Sequence, residues 1–215
     1  MPGLPQTGWQ GRCLPPINSV DGSEIELDSF LIVQYSNHML EQLIAGQPVW
    51  ICGSGPTLDE VDPKSIQKPA FVLNSVVRYF SPAPERTVWA VLDRSEIRRH
   101  GFRPACAAGL LSPHAHMEAE RKGFDMGSMV KATKEDGFAI GPGTVSLCAS
   151  ACVKYGAAAV TFVGFGGVGF AKCLGEPYSK REYGPVEKSF FPTQIETAKE
   201  LLDTAGIPWS DLCQS

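Results

Sequence analysis

Pro48-Val49-Trp50-Ile51-Cys52-Gly53-Ser54-Gly55-Pro56-Thr57-Leu58-Asp59 is the stretch whose reading decides the fold. A short apolar strand runs straight into a glycine-rich turn, and Pro56 then opens a helix. Glycine supplies the backbone freedom and close approach that let bare N–H groups face an anion. A helix N-terminus behind such a turn adds unpaired amides and the positive end of its dipole. The turn therefore predicts a phosphate- or nucleotide-facing loop built from Gly53, Ser54, Gly55, Pro56 and Thr57. Taken alone, G-S-G-P also fits a plain tight turn. It is neither a Walker loop, which needs G-x-x-x-x-G-K-[ST], nor the dinucleotide fingerprint, since Pro56 follows Gly55 and the third glycine is missing.

Outward from that stretch the chain alternates apolar runs with helical patterns. Ala70–Leu73, Thr87–Leu92, Gly109–Ser112, Ser128–Lys131, Ala158–Val163 and Ile207–Trp209 read as further strands, the last an edge strand that tolerates Pro208. Between them, Asp28 to Ala45 carries apolar residues at helical spacing with Asp28 as cap. Gly143-Thr144 opens a helix that runs to about Tyr155 and stops at Gly156. Thr193 to Ala205 reads as a helix with Thr193 and Glu196 as a capping box. Apolar strands without alternation, separated by helices, predict an α/β fold: a Rossmann-like, mostly parallel sheet with helices on both faces. The expected organisation is an irregular proline-rich arm over 1–27 and a single nucleotide-binding domain over 28–215. Within it, 170–191 is a candidate lid, equally readable as a surface loop without ligand contact.

At 215 residues, with 43% hydrophobic and 20% charged residues, the chain has the composition of an ordinary globular domain. A net charge of −4 carries no global signature of nucleic-acid binding. No run approaches the roughly 20 apolar residues that span a bilayer. The N-terminus lacks the basic start and apolar core of a signal peptide. Seven cysteines without framework spacing read as reduced thiols of a cytoplasmic protein. Cys148 and Cys152, one helical turn apart, and His114 with His116 suit packing and surface roles better than a metal site.

Parallel sheets bind ligands beyond the carboxyl ends of their strands. Gly53–Thr57, Asn74-Ser75, Asp93-Arg94-Ser95 and Gly164–Gly167 all fall there. Asp93 reads either as a ligand- or Mg²⁺-binding carboxylate or as the N-cap of the helix that follows. Arg94, Arg98, Arg99, His100 and Arg103 form a basic cluster behind it; most suit solvent, and one or two would complete a phosphate site. Gly141-Pro142-Gly143-Thr144 is a second glycine loop entering a helix, offering either another anion contact or a helix cap.

Gly53-Ser54-Gly55-Pro56-Thr57-Leu58, Leu73-Asn74-Ser75, Val91-Leu92-Asp93, Gly143-Thr144-Val145 and Ala159–Phe165 occur in this order. That order resembles the Rossmann-like superfamily of the archaeal 6-hydroxymethylpterin pyrophosphokinases and the flagellin motility accessory factors. It also resembles the bacterial lipooligosaccharide sialyltransferases, which open with C-G-x-G-P-S-L. The resemblance covers roughly residues 48–170, with a weaker echo in the terminal helix and strand. It implies that Gly53, Ser54, Gly55, Asn74, Ser75, Asp93, Gly143 and Thr144 hold a nucleotide, and that Tyr178 and Tyr183 belong to the lid. Two positions depart from the sialyltransferase pattern. No histidine follows His116, and Gly166 stands where an aspartate is usual, so the family's general base has no counterpart here.

The expected activity is a transferase, favouring glycosyl transfer from a nucleotide-sugar donor to a small-molecule or glycan acceptor. Asp93 is then the candidate catalytic base, with Tyr183 in reserve. The alternatives are Mg²⁺- and ATP-dependent diphosphate transfer to a small hydroxymethyl compound, and a non-catalytic nucleotide-binding module. No resident cofactor is implied beyond the donor and possible Mg²⁺.

Overall fold

The computed structural model describes residues 36–80, 82–99, 103–166, 169–175 and 185–212. The expected arm over 1–27 lies outside these residues, as do residues 176–184 of the candidate lid. Seven strands, β1 (Pro48–Cys52), β2 (Ala70–Leu73), β3 (Thr87–Val91), β4 (Ala108–Leu111), β5 (Met129–Lys131), β6 (Ala159–Val163) and β7 (Trp209–Asp211), form one sheet in the order β5-β4-β3-β2-β1-β6-β7. Every pairing is parallel. Among the described residues five α-helices flank it: α1 (described over 36–44), α2 (Arg94–Arg99), α3 (Pro113–Arg121), α4 (Thr144–Lys154) and α5 (Pro185–Thr204).

Burial follows the strand alternation. Val49, Ile51, Phe71, Val88 and Leu110 join Leu40 and Ile44 of α1, the apolar side of α4, and Ala198 and Leu202 of α5 in one core. Cys52, Val72, Trp89, Val91 and Leu111 join Ile97 of α2 and Ala115 and Ala119 of α3 in the other. A sheet buried on both faces explains why its strands read as continuous apolar runs. The chain is thus a Rossmann-like α/β domain with helices on both sides.

Chain order sets where the sheet reverses. From β1 the strands progress through β2 to β5 in one direction, then α4 carries the chain back and β6 joins the other side of β1. The order reverses at β1, and the crevice outside the carboxyl ends of neighbouring strands at such a point is where doubly wound sheets take ligands.

Two expected helix boundaries differ. The segment after the glycine turn is a single 3₁₀ turn, Pro56–Glu60, rather than an α-helix. Leu58 N–H bonds Gly55 O, Val61 N–H bonds Leu58 O, and Pro63 forces the preceding residue into extended backbone. Its dipole is accordingly too short to matter. Thr193 is not a cap: α5 begins eight residues earlier at Pro185 and carries Pro192 inside it. Thr193 O accepts from Thr197 Oγ1 at 2.9 Å within the helix, and Glu196 pairs with Lys199 instead of reaching back. Burial of Ile195, Ala198 and Leu202 against α4 carries the helix through the missing proline N–H. The edge strand also lies two residues later than expected, at Trp209–Asp211, with Pro208 O accepting from Val160 N–H at its start.

Candidate functional site

Every nominated strand end meets at one edge. Cys52 pairs with Val72 and Val163, Leu73 with Ala90, and Val91 with Leu111, so Gly53, Asn74, Asp93 and Gly164 follow strands that finish nearly level. The glycine turn, however, is largely occupied by β6. Gly53 N–H donates to Val163 O at 2.8 Å and Gly55 N–H to Gly164 O at 2.6 Å. Gly164 N–H returns a bond to Thr57 Oγ1 at 3.1 Å. A Cβ on Gly53 would stand 2.6 Å from Gly164 O, and one on Gly164 2.5 Å from Gly53 O. These glycines are needed so that two backbones can touch, and two of the amides expected to cradle an anion are donated inside the protein. Ser54 O accepts from Ala171 N–H at 2.9 Å, and Pro56 opens the 3₁₀ turn.

The open polar groups lie one strand over. Asn74, half-buried, has φ +51, the one non-glycine residue with positive φ among the described residues. Asparagine tolerates that conformation better than most residues, yet it is uncommon and tends to mark functional sites. Two contacts hold it there. The fully buried Trp89 indole N–H donates to Asn74 O at 2.9 Å, and Thr144 Oγ1 donates to Asn74 Oδ1 at 3.2 Å. With Oδ1 so engaged, the Nδ2 donors remain for a ligand. Among the described residues no acceptor meets them.

Thr144 is the first residue of α4. The residue before it, Gly143, is the N-cap, with φ +87 and no side-chain cap bond, so Thr144 is not the cap. The Gly141-Pro142 peptide is cis, and Ser146 Oγ fixes this loop by donating to Pro142 O at 3.0 Å. The uncapped amides of an eleven-residue helix thus stand beside Asn74, a ready setting for an anion. Gln194 of α5 packs on Gly143 so closely that a Cβ there would meet its side chain at 1.9 Å. Gln194 carried no sequence signal, because it lies inside a helix whose start was misplaced.

Asp93 is exposed, and Asp93 Oδ1 accepts from Ser95 N–H at 2.8 Å, so it does cap α2. Ser75 is buried and gives its hydroxyl hydrogen to Glu96 of α2, whose other oxygen takes Arg99 Nη1 at 2.6 Å. Glu96 was missed because a surface carboxylate in a short helix looks solvated. Tyr183 and Tyr178 lie outside the described residues.

No family model matches this chain, and no curated protein matches it either.

Cys148 and Cys152 are fully buried, and burial drives both thiols far above their usual range. Among the described residues no three histidine, cysteine or acidic side chains gather as a metal site, and no helix is long and apolar enough to cross a membrane.

Proposed function

We propose that the chain binds a nucleotide or nucleotide-sugar at the crevice flanked by the β1 turn, the β2 end and the first turn of α4, and acts as a transferase on it. The observation that carries this reading is the left-handed Asn74, at the end of β2 beside the strand where the order reverses, hydrogen-bonded to the first residue of α4. The uncapped α4 amides suit phosphate oxygens, and Asn74 Nδ2 suits a carbonyl or phosphoryl acceptor. Glycosyl transfer from a nucleotide-sugar is the favoured reaction, supported by the order of motifs shared with the sialyltransferase-like superfamily. Asp93 is its candidate base, exposed at the β3 tip.

The test is a thermal-shift panel of CMP-, UDP- and GDP-sugars against ATP with Mg²⁺. A ligand that binds only the folded state raises the melting temperature. A CMP-, UDP- or GDP-sugar giving the largest shift supports glycosyl transfer, ATP with Mg²⁺ favours diphosphate transfer, and no shift from any nucleotide removes the reading.

A further inference from the structure

The tips of β1, β2 and β6 offer glycines, Asn74 and Thr57, and the first turn of α4 adds Thr144; all are uncharged. The tips of β3, β4 and β5 carry Arg94, His114 and Lys131, all exposed. Register sets Val91, Leu111 and Lys131 level, so Arg94 and His114 sit three residues beyond that line. With neighbouring strands ~4.8 Å apart, these three tips span about 10 Å. Arg94 is nearest the crevice, one strand from Asn74.

The other arginines of the segment are engaged. Arg98 Nε lies 3.3 Å from Glu118, Arg99 Nη1 2.6 Å from Glu96, and Arg103 Nη1 2.8 Å from Asp125. Among the described residues the side chains of Arg94, His114 and Lys131 make no hydrogen bond or ion pair. Acids follow the same strand tips: Asp93, with one oxygen on Ser95 N–H, and Glu135 and Asp136, exposed after β5 beside Lys134.

We propose that the β3–β5 rim, through Arg94, seats a phosphoryl group of the ligand bound beside Asn74 and Thr144. This rests on the nucleotide reading and assigns the direction in which the ligand lies: along the edge from β2 towards β3, not across β6. A guanidinium offers a planar pair of N–H donors to phosphoryl oxygens, and such charge-assisted bonds are the stronger kind.

Calorimetric titration of the full chain tests it, with CMP, ATP and Mg²⁺, inorganic pyrophosphate, cytidine and adenosine as probes. Arg94→Ala is expected to weaken CMP, ATP or pyrophosphate binding by about tenfold to a hundredfold. Nucleoside affinity should not change, and Arg94→Lys should fall between. Arg98→Ala, whose partner is Glu118, should leave binding intact. Phosphate-containing probes bound equally by wild type and by a folded Arg94→Ala, or by Arg94→Lys should Ala not fold, overturn the assignment. Wild-type binding of nucleosides with no gain from the phosphate overturns it while sparing the nucleotide reading. No binding of any probe ends both.

Discussion

At the scale of single residues, Asn74 separates strain from function. A side chain without asparagine's local hydrogen bonding costs roughly 1–2 kcal/mol in the left-handed region, and the Thr144 bond contributes about 1 kcal/mol. Asn74→Ala should therefore lower unfolding free energy by about 2–3 kcal/mol in urea titrations. Asn74→Gly, free of the conformational penalty, should lose about 1 kcal/mol or less. Both should lose nucleotide binding if Nδ2 meets the ligand; retention by Asn74→Gly would remove Asn74 from the site. Gly164 offers a second comparison. An added Cβ there meets Gly53 O at 2.5 Å at φ +75, whereas Gly46, at φ +66, has open space. Gly164→Ala should cost about 2–4 kcal/mol and Gly46→Ala only about 1 kcal/mol. Equal losses in denaturant melts would show that the β1–β6 contact relaxes freely. The glycines at 53 and 55 were legible as special, but their purpose was not, because the partner that explains them, Gly164, is over a hundred residues away in sequence.

At the scale of elements, the turn after β6 is fastened to the turn after β1 by one carboxylate. Asp59 accepts from Lys172 N–H at 2.7 Å and Cys173 N–H at 2.8 Å, and Ala171 N–H reaches Ser54 O. Partial burial raises the Asp59 carboxyl, but the Cys173 and Lys172 amides and the Lys172 charge outweigh it, leaving the group below its ordinary value. Burial and the facing Asp59 in turn push the Cys173 thiol up to about 11. A carboxyl depressed in the folded state stabilises the fold above its unfolded value, near 3.9, and loses that contribution as pH falls through the lower folded value. Amide hydrogen exchange, corrected for its intrinsic pH dependence, should show Lys172 and Cys173 protected at neutral pH and losing protection below about pH 4. Asp59→Asn should lose it at all pH values; unchanged protection in that variant would assign the fastening to the Ala171–Ser54 bond and the packing of Phe170 and Leu174. Strand positions at β1 to β4 and β6 and the close of α4 at Gly156 were readable from local pattern. The start of α5 was not, since Pro192-Thr193 is a strong local signal for a helix start and only packing of Ile195 and Ala198 against α4 overrides it.

At the scale of the whole molecule, the fold class followed from the absence of alternation in the strands, a direct imprint of burial on both faces. The edge was legible but its local structure was not: the segment behind Gly53–Thr57 is a 3₁₀ turn, and the helix start beside Asn74 is that of α4, first read as the secondary loop. The reason is long-range, because α4 reaches Asn74 only once the chain has crossed back over the sheet. A ligand there touches the β1 turn, the β2 end and α4 together, so its binding free energy acts on global unfolding, not on one frayed segment. At one hundred times its dissociation constant a ligand adds about 2.7 kcal/mol, and a domain of this size gains roughly 2–4 °C per kcal/mol. The best nucleotide of the panel should therefore raise Tm by about 5–10 °C in a single cooperative transition. Thr144→Val keeps the volume and backbone of α4 but removes the hydroxyl that orients Asn74. Its ligand-induced shift should fall below half that of the wild type while its own ligand-free Tm moves only slightly. A full shift in Thr144→Val would mean that the ligand does not read the Asn74–Thr144 pair, and the crevice would have to be sought elsewhere along the edge.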